Sequence, residues 1–200
     1  MRELSRLLNG WDGYQLSLLH AVTPLNKEQL VWRPFPDRRS VGELIRHISL
    51  GRINWLSRIG APGVEEIALA VPRWFTDPDG SRHVMEESIP SDQPEVLSKW
   101  MALSWQPIDS LLHEWTIDDL FQTYPHRFRG ADYAVSRQWT IWRIMSHDIH
   151  HGGQLALMLS MQGIDAFELR VLGGHITVPG LATQKGSPAA GPGSPHLNAT

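Results

Sequence analysis

The sequence contains no cysteine among its 200 residues. This absence excludes disulfide bonds, thiolate metal sites and a cysteine nucleophile, and it is compatible with a reducing compartment. If the protein takes part in thiol chemistry, the thiol must therefore arrive with the substrate.

An excess of basic residues is also absent. The chain has 18 Lys and Arg against 21 Asp and Glu, which gives a formal net charge of −3, and this balance argues against a nucleic-acid partner. No window approaches the roughly 20 apolar residues that a membrane-spanning helix needs. Arg2, Glu3 and Arg6 lie where a signal peptide would have an apolar stretch. We therefore expect a soluble, cytoplasmic protein that binds neither nucleic acid nor membrane.

The hydrophobic content of 42% over this length is enough to bury one full-sized core. We predict a single domain over residues 1–183. The remaining segment, residues 184–200, is rich in Gly, Pro and Ser, a composition typical of a disordered tail.

Apolar residues repeat at the spacing of three and four that is typical of amphipathic helices. Four segments show this pattern: residues 1–22, about 41–60, about 92–115 and about 137–162. Ser40 and Glu43 have the spacing of a capping box, and Ser136 is expected to start the fourth helix. Pro107 should kink or interrupt the third helix. Residues 121–133 have the pattern of a connection. The sequence therefore predicts an all-α, four-helix bundle.

The segment between the second and third helices, residues 63–90, is interrupted by Pro72, Pro78, Gly80 and Pro90. We predict a long irregular excursion there, with a short helix over Val64–Ala70. Loops of this length inside compact domains are often functional, so this segment is a candidate cover for a pocket.

His147 and His151 are the main candidates for a chemical role. They are four residues apart, so their rings lie on one face of the fourth helix. That face is otherwise mostly apolar, and its other members are Thr140, Ile144, Leu155 and Met158. Two buried, unpaired imidazoles would be costly without a shared partner. The spacing therefore predicts that both histidines bind one divalent transition metal, with zinc as the first choice.

His47 is the best third ligand. It shares a helix face with Leu44, Gly51 and Trp55, so it should also point inward, although His20, His83, His113, His126 or His175 could replace it. Three histidines leave a coordination position for water or substrate, which is typical of catalytic rather than structural zinc sites.

Gly152 and Gly153 stand directly after His151, and two glycines in mid-helix cost about 2 kcal/mol in helix propensity. Strong helical character resumes after them. This combination favours a close approach by a neighbouring helix, which would bring that helix within reach of the metal ligands.

The chain resembles the DinB-like (DinB/YfiT) superfamily of metalloenzymes in two histidine segments, residues 40–48 (SVGELIRHI) and 147–155 (HDIHHGGQL). Residues 30–34 (LVWRP) also resemble the family's link between its first two helices, and the similarity extends over about residues 4–163. The resemblance differs at Gly152, where the family commonly has arginine.

The resemblance implies an up-down-down-up four-helix bundle that is frequently a homodimer. It also implies that nickel or zinc is held by three histidines, which correspond here to His47, His147 and His151. Relatives include thiol-dependent enzymes such as bacillithiol S-transferases and mycothiol-dependent maleylpyruvate isomerase, as well as many proteins without a known activity.

Several alternatives remain beside this interpretation. His147 and His151 could be core histidines bonded to neighbours, and His150 is expected at the surface, at an interface or behind a ligand. The motif His-Asp-x-x-His imitates that of metalloproteases, but aspartate is short for a general base, so Asp148 is expected to face outward or to orient a ligand ring. A di-iron site would need repeated Glu-x-x-His motifs, which are absent. Five tryptophans are expected to fill the core, with one or two of them lining the pocket instead: Trp11, Trp55, Trp100, Trp139 and Trp142.

The combined prediction is a metal-dependent enzyme that activates a thiol or water. It would be a thiol S-transferase, an isomerase or a hydrolase, with a small-molecule substrate such as a low-molecular-weight thiol. The alternatives are a non-catalytic metal- or ligand-binding protein associated with stress, and a metal-free structural bundle. The sequence assigns no catalytic side chain beyond the metal ligands.

Overall fold

The computed structural model describes residues 4–78, 80–128 and 130–171. Within these ranges the chain is mostly helical. The helices are α1 (Leu4–Leu7), α2 (Trp11–Val22), α3 (Lys27–Val31), α4 (Val41–Arg58), α5 (Val64–Ala70), α6 (Pro94–Leu103), α7 (Gln106–Glu114), α8 (Arg137–Met161) and α9 (Phe167–Arg170). The predicted tail and His175 lie outside the described residues.

The first predicted helix is divided into α1 and α2. Gly10 separates them with a φ of 101°, a left-handed conformation that glycine adopts without the steric cost of a Cβ. Apolar spacing continues across this break, so periodicity alone predicted one helix where the backbone forms two.

The two long helices begin where their capping residues predict. The Ser40 side chain accepts a hydrogen bond from the Glu43 backbone amide, and Glu43 accepts one from the Ser40 amide, which confirms the capping box. At the start of α8, the Ser136 side chain accepts from the Trp139 amide. Both histidine-bearing helices are therefore fixed at their N-termini by side-chain caps.

The segment between α4 and α6 is more ordered than predicted. The short helix α5 has the predicted bounds. It is followed by the antiparallel strands β1 (Phe75–Thr76) and β2 (Arg82–His83), and then by a 3-10 turn at Glu86–Ser88. This turn brings Glu86 against α4, where it matters for the site described below.

The third predicted helix is interrupted rather than kinked. It forms α6 and α7, and Pro107 lies in the first turn of α7. Proline lacks an amide hydrogen, so the first turn of a helix, whose amides have no intrahelical acceptor, accommodates it well.

A β-hairpin occupies much of the segment that was predicted as a simple connection. β3 (Thr123–Phe128) pairs antiparallel with β4 (Ala131–Ser136), with Thr123 opposite Ser136 and Phe128 opposite Ala131. Pro125 argues against a central strand, but in a two-stranded hairpin every strand is an edge. Most hairpin side chains are exposed, so the apolar alternation that indicates a half-buried strand is missing.

The core lies between the longer helices, with α4 packed against α8 and α6, and α2 packed against α6. Its fully buried members include Leu18, Ile45, Ile48, Leu97, Met101, Leu155 and Leu159. Among the described residues, no helix combines the length and apolar character needed to cross a membrane. The contact between α4 and α8 is the one that creates the candidate site.

Candidate metal centre

The structure brings together His47, His147 and His151. The Nε2 atom of His47 lies 3.2 Å from the Nε2 atoms of both His147 and His151. One nitrogen from each of the three rings lies within 4.8 Å of the other two. Residues 100 and 104 positions apart in the sequence therefore meet in one cluster.

Close packing of α4 against α8 makes this meeting possible. A Cβ atom added at Gly51 would lie 2.8 Å from Cε1 of His147, so only glycine leaves room for the ring in this position. On α8, the predicted inward face is confirmed, because Thr140, Ile144, Leu155 and Met158 are all buried. The histidines lie on that face and remain partly accessible.

Hydrogen bonds fix the tautomers of two of the rings. Nδ1 of His47 lies 3.0 Å from Oε1 of Glu86, and Nδ1 of His151 lies 2.7 Å from Oε1 of Gln154. The hydrogen bond from His47 is the main reason why the pKa of Glu86 falls to about 2, and Arg39, whose Nε donates to the same oxygen at 2.6 Å, contributes further. An ionised carboxylate only accepts hydrogen bonds, so Nδ1 of His47 carries a hydrogen, as does Nδ1 of His151.

Burial keeps the α8 histidines neutral. It lowers the pKa of His147 to about 3, with His151 and His47 adding to the effect, and it lowers the pKa of His151 to about 4. At neutral pH these rings carry no charge, which is the form that binds a metal.

The cluster fits a metal ion better than a set of hydrogen bonds. With a hydrogen on Nδ1 of His47 and on Nδ1 of His151, the Nε2 atoms of the two rings are left to face each other at 3.2 Å. Two bonds of about 2.0–2.1 Å to a common ion, separated by an angle of about 100°, would span this distance. The three histidines could therefore hold a divalent ion, and the cluster includes no carboxylate ligand among the described residues.

Comparison with known proteins identifies the family. The family model described as the DinB superfamily matches residues 15–155. The chain belongs to the DinB superfamily. Its fold is similar to the crystal structure of a DinB-like protein from Bacillus cereus ATCC 10987, with a TM-score of 0.60, 17% identity, and coverage of 82% of this chain and 96% of the other.

A second similar structure is that of a conserved protein from Enterococcus faecalis, with a TM-score of 0.59, 15% identity, and coverage of 79% and 96% of the two chains. At these identities the likeness shows the fold alone. No curated protein matches the sequence.

The other histidines that the structure describes lie outside the cluster of this DinB-superfamily chain. His150 is exposed, and its Nε2 lies 3.3 Å from the side-chain nitrogen of Gln154. The alternatives to His47 have other positions: His20 is exposed, His83 contacts Asp77, His113 contacts Asp109 and His126 contacts Arg58. His47 is thus the described histidine that joins the α8 pair.

The expectation for Asp148 was wrong. Its side chain is fully buried and points away from the cluster into the core. It accepts hydrogen bonds from Nε of Arg52, which lies 3.0 Å from both carboxylate oxygens, and from Nε1 of Trp11 at 3.2 Å. Nη2 of Arg52 adds an ion-pair contact at 2.9 Å. Burial raises the pKa of Asp148 and the Arg52 guanidinium opposes that effect. Because its carboxylate is enclosed by these partners, Asp148 neither orients a ligand ring nor serves as the general base of a metalloprotease.

The two glycines of α8 have different surroundings. A Cβ at Gly152 would overlap the hydroxyl of Tyr14, which lies 3.3 Å from the Asp148 carbonyl oxygen and donates to it. A close approach therefore occurs at Gly152, but it is made by a side chain of α2, a helix that carries none of the three histidines. The helix with His47 approaches α8 at Gly51 instead. A Cβ added at Gly153 would meet nothing within 4 Å, and no contact explains that glycine.

The tryptophans divide between core and surface. Trp11 and Trp100 are buried, whereas 39% of Trp139 and 58% of Trp142 are exposed. Core filling was therefore the wrong interpretation for Trp139 and Trp142. Trp55 is half-buried and lies beside Trp139, with ring centroids 5.7 Å apart.

Sequence reasoning missed Glu86, Arg39 and Gln154 as partners of the cluster. Gln154 had a usable signal, because it follows His151 by three residues on one helix, a spacing at which side chains meet. Glu86 had none, since it belongs to a segment without periodicity. Its position depends on the 3-10 turn and on tertiary contacts with α4.

Proposed function

We propose that this chain is a metal-dependent enzyme in which His47, His147 and His151 hold one divalent transition metal, zinc or nickel. The reaction would be that of a thiol S-transferase or isomerase, with a small-molecule substrate such as a low-molecular-weight thiol. One observation carries the proposal: three imidazole nitrogens converge, and Nδ1 of His47 and of His151 each donates a hydrogen bond to an oxygen, which leaves the two Nε2 atoms facing each other.

The protein groups around the cluster have supporting roles. Glu86 holds His47 in the tautomer that exposes Nε2, and Gln154 does the same for His151. Such partners fix ring orientation and raise ligand basicity. When bound, a zinc-like ion polarises a coordinated water or thiol and lowers its pKa toward neutrality. Because the substrate must supply any thiol, the absence of cysteine is consistent with this chemistry.

The number of protein ligands separates an enzyme from a non-catalytic metal- or ligand-binding protein. A storage or structural site would use a fourth side chain, whereas a catalytic site leaves a position for substrate. Glu86 contacts the cluster through its carboxylate, which is hydrogen-bonded to Nδ1 of His47. This nitrogen lies on the other side of the ring from Nε2, the atom that faces the other two histidines, so Glu86 is not placed as a fourth metal ligand. This arrangement favours the enzyme.

Metal content tests the site. Protein purified without chelator should contain about one metal equivalent, and His147→Ala and His47→Ala should lose it and melt at lower temperature, since metal binding stabilises the folded state. His150→Ala is the matched control, because His150 is exposed and outside the cluster. Wild-type protein without metal, even after addition of zinc or nickel, would contradict the proposal and favour a metal-free bundle.

Activity is tested separately. The metal-loaded protein is screened with low-molecular-weight thiols and electrophiles, and thiol consumption is followed. Turnover that disappears in His147→Ala supports the transferase. Metal binding at full occupancy without turnover of any thiol or hydrolysable substrate would favour the non-catalytic alternative.

We further propose a four-helix bundle in up-down-down-up order that forms a homodimer in the cytoplasm, with residues 1–183 as one domain. Support for the dimer comes from α8, which exposes large apolar side chains: Trp142, Ile149, Leu157 and Met161. A monodisperse species of twice the chain mass that becomes monomeric in Leu157→Glu would support this assembly. A monomeric wild type at micromolar concentration would overturn it.

A further inference from the structure

A second feature beside the histidine cluster is a cavity of about 1120 Å³ lined by residues of α4, α8 and the β3–β4 hairpin. Arg143 of α8 and Trp55 of α4 both line it. Arg143 precedes His147 by one helical turn, and Trp55 follows Gly51, which contacts the His147 ring, by one turn. Four residues of helix correspond to a rise of about 6 Å, so the cavity adjoins the cluster.

The cavity has an excess of positive charge. Its lining includes two acidic residues, Asp77 and Asp132, and each has a cationic or imidazole partner: His83 for Asp77 at 3.2 Å and Arg127 for Asp132 at 3.4 Å. Arg58 and Arg143 also line the cavity, and neither forms an ion pair with a carboxylate in the part of the chain that the structure describes. Two guanidinium groups are therefore available to an anion.

Indole rings hold these two guanidinium groups in position. The Arg143 Cζ atom lies 4.8 Å from the ring centroid of Trp55 and 5.3 Å from that of Trp139, and the Arg58 Cζ atom lies 5.0 Å from the ring centroid of Trp55. Contact between a guanidinium and an aromatic face leaves N–H donors at the guanidinium edge. Arg143 makes no hydrogen bond to a carboxylate among the described residues, so its fork is prepared to bind a planar anion.

His126 adds a neutral donor to the same wall. Its Nδ1 lies 3.0 Å from Nη1 of Arg58, which can only donate, so Nδ1 accepts. Burial lowers the pKa of His126, and Arg58 and Arg143 lower it further. The neutral ring then carries its hydrogen on Nε2, which leaves one more donor in a cavity that already has two cations.

We propose that this cavity binds a small planar carboxylate, an aromatic or conjugated acid, with the carboxylate on Arg58 and Arg143 and the ring against Trp55 and Trp139. The guanidinium fork matches the two oxygens of a carboxylate, and the indole rings offer apolar contact area to the rest of the molecule. The proposal that such a carboxylate binds in the cavity is independent of the proposed function. Only its role as the substrate of the neighbouring metal centre rests on the proposed function.

Benzoate is the probe and benzamide its neutral counterpart, with binding followed by calorimetry and by the fluorescence of the cavity tryptophans. Benzoate should bind and benzamide should bind at least about tenfold more weakly, because charge-assisted hydrogen bonds are lost. Arg143→Gln and Arg58→Gln should each lower the affinity for benzoate by about tenfold or more. Arg170→Gln is the matched control, since Arg170 is exposed, pairs with Asp165 and does not line the cavity.

Three outcomes would overturn this assignment: no binding of benzoate at millimolar concentration, equal binding of benzamide, or tighter binding of phenyl phosphate than of benzoate. The last would identify a phosphate site instead. Metal content measured on the same Arg143→Gln protein separates the two proposals. A variant that keeps its metal and loses benzoate supports the cavity, whereas wild type that binds benzoate without holding any metal retains the cavity and contradicts the metal centre.

Discussion

Gly51 leaves room for the His147 ring because glycine has no side chain. Because a Cβ there would lie 2.8 Å from the His147 ring, Gly51→Ala should displace the ring from the convergence point. We expect metal affinity to fall by about tenfold or more, the range found when the support of a ligand is disturbed. Metal titration with a competing chelator measures this change.

The control for Gly51 is Gly153→Ala. Gly153 is exposed on α8 and an added Cβ would contact nothing within 4 Å. Alanine should therefore raise helix stability by about 1 kcal/mol and leave metal affinity unchanged. Equal metal affinities for Gly51→Ala and wild type would show that the ring has other room to move.

Glu86 acts on the cluster through His47. In Glu86→Gln the amide replaces an ionised acceptor, so the preference for hydrogen on Nδ1 weakens and metal affinity should fall by about 10- to 100-fold. Glu87→Gln removes the same charge from an exposed neighbour and should leave affinity nearly unchanged. If both variants lose affinity equally, the effect is one of net charge and the tautomer argument fails.

At the scale of elements, the buried Arg52–Asp148 pair joins α4 to α8, and the Trp11 bond adds α2. Asp148→Asn leaves a buried guanidinium without its counter-ion, and breaking such a pair costs about 3–5 kcal/mol. Denaturant unfolding of the metal-free protein measures this loss. Asp132→Asn removes an exposed partner of Arg127 and should change stability by less than about 1 kcal/mol; similar losses in the two variants would contradict a structural role for the buried pair.

Helix starts and the interruption near Pro107 were predictable, whereas the break at Gly10 was not. Ser40 and Ser136 reveal their caps through local chemistry that needs no tertiary information. The break at Gly10 was missed because apolar spacing continues across it. The β3–β4 hairpin was missed because most of its side chains are exposed, and its sequence lacks the apolar alternation of a half-buried strand.

The site was predictable as far as helix geometry reaches. The four-residue spacing of His147 and His151 fixes their common face, and the apolar neighbours of His47 indicate that it points inward. Glu86 was missed because it belongs to a segment without periodicity. The burial of Asp148 depends on Arg52, and sequence patterns place a charged residue such as arginine outside the core. A single sequence therefore does not reveal which charged residues form a buried ion pair.

For the whole molecule, the low pKa values of His147 and His151 predict how the metal-free protein responds to acid. In the unfolded chain these histidines take up protons below pH about 6.5, whereas in the folded chain their pKa values are about 3 and 4. The unfolded state therefore binds more protons between these limits, and the free energy of unfolding should decrease as pH falls from about 6.5 toward 4.

Denaturant midpoints measured at several pH values test this response. The double variant His147→Gln/His151→Gln should show a shallower decrease than wild type, since two of the titrating groups are gone. His150→Gln, which changes a histidine outside the cluster, should keep the wild-type slope. A double variant with an unchanged slope would mean that other groups dominate the acid response.

The phenol of Tyr14 beside Gly152 has a consequence for variation within the superfamily. Because the hydroxyl takes the volume where the first side-chain carbon of residue 152 would begin, this chain cannot accept at position 152 the arginine that the family resemblance implies unless position 14 shrinks at the same time. Positions 14 and 152 should thus covary, with glycine at position 152 wherever position 14 is aromatic. A lineage that exchanges one combination for the other would have to pass through small residues at both positions, because two large side chains cannot be accommodated together.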